Sequence, residues 1–501
     1  MSAKENSYGS ILKSSSLIGG AQFFNLLIGL VRTKFVAVLI GPAGVGLVGT
    51  YMAIQQFAIV LAGLGIGQSG VRDISDARGS DDLERMAETV TVLRRLSLYL
   101  GLFGSLIMAL LAYPLSRLTF GDDGHALGLL ALSVSVCLGL IAAAQQAILQ
   151  GFRRIGDMAK AGILGTILGS IATIGWYFAL GINGIIPAIL TMSVISLLFS
   201  WYFSRQIEVT NVFVDYKKLI NHSKSLLGLG FAFMWNGLML AALAYVVRLL
   251  LLREFDLATV GIYSAAFGIS GMIVNFVLQA MGADYFPRLS EVADDSARMS
   301  QLVNEQAEVG VLLALPAIVG LVVFAPVLIH VFYTPEFLPA ATLIQWFALG
   351  CFARVFQWPL GFVLLAKKKS LLFAGSETFF HALHLLFILL GIRYMGLEGV
   401  AVAFVSLYLV SFWIILFIVK RLVQFQWNPA AFRLILLNVC IVLGVFVLAQ
   451  NVKGNLGLIL GAVIFCVVSL CCLRGLLVRV GTDHRLIAAV LRCAPRLKNL
   501  I

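Results

Sequence analysis

Four cationic side chains interrupt otherwise apolar stretches of this sequence: Arg32, Lys34, Arg248 and Arg354. A charge inside a membrane-length apolar helix is costly, and it usually faces a water-filled cavity or a partner. Because few acidic residues accompany these cations, they predict a site for an anionic ligand. The alternative for Arg32, Lys34 and Arg248 is that they extend to the outer membrane surface. Arg354 lies deep inside its apolar run, too far from either end to do so.

Aromatic residues lie close to two of these cations in sequence. Aromatic faces combined with cations suit sugar rings that carry a phosphate, although aromatic residues also fill cores and form belts at the membrane surface. The aromatic residues near Arg354 and Arg248 are Trp346, Phe352, Phe356, Trp358, Trp235 and Tyr245.

A second polar group, Glu377, His381 and His384, has the spacing i, i+4, i+7 and therefore shares one face of a helix. Histidine changes its charge near neutral pH, so this face predicts a site that couples transport to a proton or another cation. The alternative is a polar stripe that forms hydrogen bonds with a neighbouring helix. Glu-x3-His-x2-His is not a standard zinc motif, so we predict no metal site.

No catalytic motif accompanies these groups. The sequence contains neither the Gly-x-Ser-x-Gly nucleophile motif nor the Gly-x4-Gly-Lys-Ser/Thr phosphate loop. The acidic residues between positions 73 and 88 alternate with arginines, as on a solvated helix face. We therefore predict a protein that is not an enzyme and that needs no cofactor.

Composition identifies the elements that must position these side chains. Of the 501 residues, 60% are hydrophobic and only 12% are charged, whereas soluble proteins average about 45–50% and about 25%. This excludes soluble, disordered and disulfide-stapled chains, and the continuous apolar runs exclude a transmembrane β-barrel. The sequence predicts an all-α polytopic membrane protein with its seven cysteines mostly in apolar runs.

Apolar runs of membrane length predict fourteen transmembrane helices. The connections alternate between basic and uncharged, and one side collects 28 of the 36 lysine and arginine residues. That side is predicted to be cytoplasmic and to hold both termini. The net charge of +12 is thus a topology signal and not a nucleic-acid surface. The predicted helices span residues 14–40, 44–69, 90–113, 126–150, 158–180, 184–204, 224–252, 259–282, 306–332, 340–365, 370–393, 397–419, 430–450 and 455–473.

An internal repeat relates the two halves of the chain at one constant offset in the numbering. Three features recur at this offset, at equivalent places in two six-helix blocks. They are Val45-Gly46 with Val260-Gly261, Arg153-Arg154 with Lys368-Lys369, and the turn 181–184 with the turn 396–399.

Because six helices return the chain to the same side, this is a parallel repeat, as in many alternating-access transporters. We predict an N-terminal lobe at 1–215, a C-terminal lobe at 216–425 and a central cavity between them. Residues 426–501 would form two further helices and a basic cytoplasmic tail. The alternative is a duplicated scaffold that transports nothing.

Two segments resemble the Wzx-type polysaccharide flippases. They are residues 27–47, with Gly-Pro-Ala-Gly at 41–44, and the stretch Ala-Asp-Tyr-Phe-Pro-Arg-Leu-Ser at 283–290. The resemblance implies the fold of the multidrug/oligosaccharidyl-lipid/polysaccharide exporters, with two six-helix lobes around a cavity. It also implies a flippase of undecaprenyl-pyrophosphate-linked repeat units of O-antigen, the polysaccharide of lipopolysaccharide, or a related polymer.

Two departures distinguish this chain from other members of that superfamily. Lipid II flippases have an arginine in their eighth helix that falls at Ala266 here, which argues against lipid II as the substrate. Drug exporters usually have an acidic residue in their first helix, whereas this chain has only cations there after Glu5. A cation-coupled drug exporter remains the first alternative, and a membrane glycosyltransferase or polymerase the second.

The sequence therefore predicts a multi-pass protein of the bacterial inner membrane that moves lipid-linked oligosaccharide by alternating access. Arg32, Lys34, Arg248 and Arg354 would hold the pyrophosphate and any acidic sugars. A proton or sodium gradient would be coupled through the polar face of residues 377–384. The predicted partners are the lipid-linked substrate, membrane lipid, a polysaccharide polymerase and assembly proteins. Nucleic acid is not among them.

Overall fold

Helices account for nearly all of the described chain. The computed structural model describes residues 2–79, 82–209, 216–452 and 454–480. Short 3-10 turns occur at Gly181–Gly184 and Pro335–Phe337. The helices are α1 (Ser2–Gly63), α2 (Ile66–Gly79), α3 (Leu83–Leu110), α4 (Ala112–Phe120), α5 (Ala126–Gly151), α6 (Ile155–Leu180), α7 (Ile185–Arg205), α8 (Tyr216–Glu254), α9 (Leu257–Glu291), α10 (Ser296–Phe332), α11 (Ala340–Ala366), α12 (Ser370–Met395), α13 (Leu397–Val423), α14 (Pro429–Asn451) and α15 (Asn455–Val480).

Twelve helical stretches in the described part of the chain are long and apolar enough to cross a membrane. The all-α membrane architecture is thus confirmed. Two of the twelve, Gly19–Gly63 and Ile155–Arg205, have 45 and 51 residues, whereas one crossing needs about 20. Each contains a break at the boundary between two predicted helices. The count of fourteen crossings stays a prediction.

The break in α1 lies at Gly41. Its φ of 63° and ψ of −173° are tolerated essentially by glycine alone. Pro42 follows, and a proline both lacks the N–H that an internal helical residue donates and disfavours a helical residue before it. The local sequence therefore ends one helical segment and begins another, close to the boundary that the sequence predicts.

The turn after α5 recurs after α11 with the same backbone geometry. Arg153 has a φ of 54°, and Lys368, its equivalent in the repeat, has a φ of 56°. In both turns the next residue donates its N–H to a carbonyl of the preceding helix: Arg154 to Leu149 at 2.8 Å, and Lys369 to Leu364 at 2.9 Å. This is the Schellman motif, which usually has glycine at the left-handed position. Both repeats keep a basic residue there despite a cost of about 1–2 kcal/mol.

A second recurring turn follows α6 and, in the other repeat, α12. Gly181 has φ 56° and ψ −131°, and Gly396 has φ 60° and ψ −138°. A Cβ on Gly184 would lie 2.4 Å from the Trp176 carbonyl oxygen, and the equivalent atom on Gly399 would lie 1.9 Å from that of Gly391. Both turns therefore require glycine for the same reason. The duplication is present in the backbone as well as in the sequence.

The described residues fall into two compact units. Unit 1 contains residues 1–262 and 331–336, and unit 2 contains residues 263–330 and 337–501. The core of unit 1 includes Leu129, Leu132 and Val136 of α5. The core of unit 2 includes Val363 and Leu364 of α11. The lobe boundaries after residues 215 and 425 remain predictions.

Two glycines of unit 1, Gly46 and Gly261, bring helical backbones into direct contact. A Cβ on Gly46 would lie 1.9 Å from the Leu257 carbonyl oxygen, and one on Gly261 would lie 2.0 Å from that of Pro42. Leu257 and Gly261 are the repeat equivalents of Pro42 and Gly46, since the same offset separates both pairs. The contact is thus symmetric with respect to the repeat. We call Gly46 and Gly261 the glycine crossing.

A histidine anchors the loop between α4 and α5. Nδ1 of His125 lies 2.8 Å from the Tyr51 hydroxyl, and its ring stacks on Phe120 with centroids 3.9 Å apart. Burial lowers the pKa of His125 from its usual 6.5, an effect that the nearby Asp122 carboxylate opposes. The folded protein therefore favours the neutral ring.

We expect this histidine to make the protein less stable as the pH falls below about 6.5. In that range His125 binds a proton in the unfolded chain more readily than in the folded chain, so protonation favours unfolding. His125→Asn should reduce the fall of the unfolding temperature between neutral pH and about pH 5.5. Equal falls for wild type and His125→Asn would contradict this role.

Candidate functional site

Unit 1 contains a cavity of about 160 Å³ with Arg32 in its wall. Nη1 of Arg32 lies 3.5 Å from the Met192 sulfur. Thr33, Thr173, Tyr177 and Tyr333 supply the polar part of the lining. Within the described chain, Arg32 is the charged residue of this wall. The cavity therefore combines one fixed positive charge with hydroxyl groups and aromatic rings.

Packing between α1 and α6 places the two main groups of this cavity together. Tyr177, on α6, is only 3% exposed, and its hydroxyl interacts electrostatically with Arg32. Thr33 and Thr173 donate their hydroxyls to carbonyls of their own helices, so their oxygens keep a free lone pair. Such a wall can accept a phosphate or a carboxylate at Arg32 and a sugar ring against the phenol.

Lys34 lies two residues from Arg32 but has a different environment. Its ammonium donates a hydrogen bond to the Tyr333 carbonyl oxygen. Tyr333 directly follows the last residue of α10, where the helix dipole attracts a positive charge. The structure therefore places Lys34 at a helix end, outside the described lining of the Arg32 cavity.

Arg248, on α8, is not brought to the Arg32 cavity. Its Nη1 donates to the Ala244 carbonyl oxygen of the same helix at 2.8 Å. The residue is half-buried and does not belong to the described lining of that cavity.

Arg354 belongs to a polar cluster inside unit 2. Its Nη1 donates to Oδ1 of Asn275, on α9, at 3.0 Å. Its charge also acts on the Glu377 carboxyl group, on α12, and on Tyr408, on α13. No acid lies near Arg354 in sequence, and Glu377, which acts on it electrostatically, belongs to the next helix along the chain.

His381 joins the same cluster, which we call the Arg354 cluster: Arg354, Asn275, Glu377, His381 and Tyr408. The Nδ1–H of His381 donates to the Glu377 carbonyl oxygen at 2.7 Å. Two of the three residues predicted for ion coupling thus share one environment with an arginine that was predicted to bind substrate. The sequence treats these as two separate sites.

His384, the third residue of the predicted polar face, packs against aromatic carbon. Its ring centroid lies 5.9 Å from that of Phe404. Its Nε2 is buried and has no hydrogen-bond partner within the described residues. No set of three or more His, Cys, Asp or Glu side chains in the described chain could hold a metal ion.

Sequence reasoning missed six polar members of these two sites: Thr33, Thr173, Tyr177, Tyr333, Asn275 and Tyr408. An asparagine inside the apolar run of α9 is a signal that could have been used, because a polar side chain in a membrane helix usually has a partner. The tyrosines gave no such signal. Tyrosine is common at membrane surfaces and in cores, and its position alone does not separate these roles.

Comparison with known proteins agrees with the predicted architecture. Residues 35–342, more than half of the chain, match a family described as polysaccharide biosynthesis protein. The chain is 23% identical over 416 residues to a lipid III flippase of Escherichia coli strain K12, covering 80% of this chain and 96% of that protein.

Two solved structures have a similar fold. One is the lipid II flippase MurJ in an inward closed conformation, with a TM-score of 0.67, 16% identity and coverage of 91% of this chain and 98% of that one. The other is a multidrug resistance MATE transporter of the MOP superfamily, with a TM-score of 0.67, 17% identity and coverage of 79% and 95%. At these identities the likeness shows the fold, and it confirms the predicted fold class.

Proposed function

This chain belongs to the polysaccharide biosynthesis protein family, and from that membership we propose that it is a lipid-linked oligosaccharide flippase. It moves undecaprenyl-pyrophosphate-linked repeat units of O-antigen, the polysaccharide of lipopolysaccharide, or a related surface polymer across the bacterial inner membrane. Both termini lie in the cytoplasm, and a polymerase and assembly proteins use the product. Similarity to a lipid III flippase over 96% of that protein's length supports the substrate class.

The observation that carries this proposal is the cavity beside Arg32. An anionic head group needs a fixed cation in a water-accessible wall, and sugar rings pack well against aromatic rings. Arg32, Tyr177 and Tyr333 provide these groups in one cavity. The prenyl tail stays in lipid, so only the head group has to traverse the polar path.

The Arg354 cluster could couple ion binding to substrate binding through the charge of Glu377 alone. While Glu377 is ionised, it satisfies part of the charge of Arg354. When a proton or a sodium ion neutralises Glu377, Arg354 loses this partner and gains affinity for an anion. An ion gradient thereby controls when the second cation binds the pyrophosphate. His381, which acts on the same carboxylate, modulates this step.

A cation-coupled drug exporter is the second candidate, favoured by the similarity to a multidrug transporter. A site for cationic drugs requires an acidic wall, and residues 19–63 of α1 contain no aspartate or glutamate. Cells that express the protein should therefore extrude ethidium no faster than cells that carry the empty vector. Faster ethidium efflux would favour this second candidate.

The proposal is tested by deleting the gene in its own host. The deletion strain should lose its surface polysaccharide and accumulate lipid-linked repeat units in the inner membrane, and the wild-type gene should reverse both changes. Unchanged polysaccharide with no accumulated intermediate would contradict the proposal.

Arg32→Ala should reduce transport of lipid-linked oligosaccharide by about 10–100-fold, because one charge-assisted contact to a phosphate contributes about 1.5–3 kcal/mol. Arg32→Lys should retain part of the activity, since it keeps the charge but not the two-pronged geometry. The exposed Arg72→Ala is the control and should transport normally. Wild-type rates for Arg32→Ala at equal protein levels would remove Arg32 from the site.

A further inference from the structure

Two arginines of unit 1, the half-buried Arg94 and the exposed Arg205, lie close enough for their like charges to interact, away from the Arg32 cavity. Arg94 lies in α3, and Arg205 is the last residue of α7. The two charges act on each other and repel. Like charges repel, and partial burial removes part of the hydration of Arg94, so an anion bound between the two arginines would be stabilising.

Arg94 also has an unsatisfied donor. Its Nε is buried and has no hydrogen-bond partner in the described part of the chain. Buried donors are nearly always paired in proteins, so an orphaned guanidinium nitrogen indicates a ligand that completes the site.

The two arginines are held in place by tight packing around α5. Leu93, beside Arg94, lies in the same buried cluster as Ile148 of α5, and Ile207, two residues after Arg205, packs against that cluster. Ser204 donates to Oε1 of Gln145 at 2.6 Å in a buried contact between α7 and α5. The backbone positions that carry the two arginines are therefore held in place.

The surroundings of this pair are those of a membrane surface. The Arg205 guanidinium lies 5.2 Å from the Trp201 ring centroid, and Trp201 and Tyr202 are both exposed on α7. On α3, Leu98 and Tyr99 are exposed next to the turn that carries Arg94. Tryptophan and tyrosine concentrate at the level of lipid head groups. Both arginines also lie toward the predicted cytoplasmic ends of their helices.

We propose that Arg94 and Arg205 together bind one phosphate group, that of an anionic phospholipid of the cytoplasmic leaflet. The phosphate oxygens accept hydrogen bonds from both guanidinium groups and neutralise their repulsion. The lipid chains lie along the exposed apolar residues of α3 and α7. This site is separate from the Arg32 cavity and from the Arg354 cluster, and it does not depend on the transport function.

The test measures lipid binding to the purified full-length protein in detergent by native mass spectrometry. Phosphatidylglycerol should bind wild type about tenfold more tightly than it binds Arg94→Gln or Arg205→Gln. Arg85→Gln is the matched control, because it removes one exposed charge from the same helix α3. It should bind phosphatidylglycerol within about twofold of wild type.

Thermal unfolding separates a ligand site from a structural role. Without lipid, Arg94→Gln should unfold at the same temperature as wild type or higher, because the repulsion is gone. Phosphatidylglycerol should raise the unfolding temperature of wild type more than that of Arg94→Gln. Equal phosphatidylglycerol binding by wild type and Arg94→Gln would overturn the site. The lipid assignment would be overturned if inorganic phosphate raised the unfolding temperature of lipid-free wild type as much as phosphatidylglycerol does and did not raise that of Arg94→Gln.

Discussion

Replacing Arg354 with alanine is expected to reduce transport of lipid-linked oligosaccharide by at least about 100-fold, below detection in most assays. Two effects combine in this variant. The substrate loses a cation, and Glu377 loses the arginine whose charge acts on it in the folded protein. Because Glu377 then lacks a nearby compensating positive charge, the variant should also unfold at a somewhat lower temperature. Both quantities can be measured on purified protein.

A double variant separates the two effects of Arg354→Ala. Combining it with Glu377→Gln removes the unpaired acid, so thermal stability should return most of the way to wild type while transport stays absent. Arg393→Ala removes a charge from the far end of α12, outside the cluster, and should change neither property. Transport by Arg354→Ala at more than about a tenth of the wild-type rate would contradict the assignment of Arg354 to the substrate path.

Substitution at the glycine crossing should give the second large effect. Gly46→Ala places a Cβ 1.9 Å from the Leu257 carbonyl oxygen and 2.9 Å from the Gly261 nitrogen. These are backbone atoms and cannot turn aside, so the two helical segments must move apart. We expect the free energy of unfolding to fall by about 1–3 kcal/mol, with a correspondingly lower unfolding temperature. Gly261→Ala should have the same effect because its contact with Pro42 is the repeat equivalent.

Gly29→Ala is the control for the crossing, because nothing lies within 4 Å of the added atom. It lies in the same helix and should be neutral or stabilising by up to about 1 kcal/mol through helix propensity. The variant with both Gly46→Ala and Gly261→Ala should lose less stability than the two single losses added together, since both disrupt one contact. Unfolding of Gly46→Ala at the wild-type temperature would contradict this packing.

Features with a local cause were predictable from the sequence. The break at Gly41 follows from a glycine before a proline, and the turns at Gly181 and Gly396 follow from paired glycines between apolar runs. The repeat could be found because these same turns recur at one offset. The sequence identified Arg153 and Lys368 as orientation and repeat signals but did not predict their left-handed backbone, which occupies a place that the usual rule assigns to glycine.

Features that depend on how one helix is rotated against another were not predictable. Whether Glu377 faces Arg354 depends on the packing of α12 against α11, and hydrophobic periodicity does not fix that rotation when most of the helix surface is apolar. The contact of Lys34 with the Tyr333 carbonyl joins residues that are far apart in sequence. No local pattern indicates such a partner. The sequence therefore named candidate residues one by one, but it did not predict how they pair.

The most direct test of the proposed function is transport of fluorescently labelled, undecaprenyl-pyrophosphate-linked oligosaccharide in proteoliposomes with an imposed proton or sodium gradient. We predict that wild type moves the label across the bilayer, that Arg354→Ala does not, and that Glu377→Gln moves it at a rate independent of the gradient. Movement of label by Arg354→Ala at the wild-type rate, or no movement by correctly inserted wild type under either gradient, would contradict the proposal.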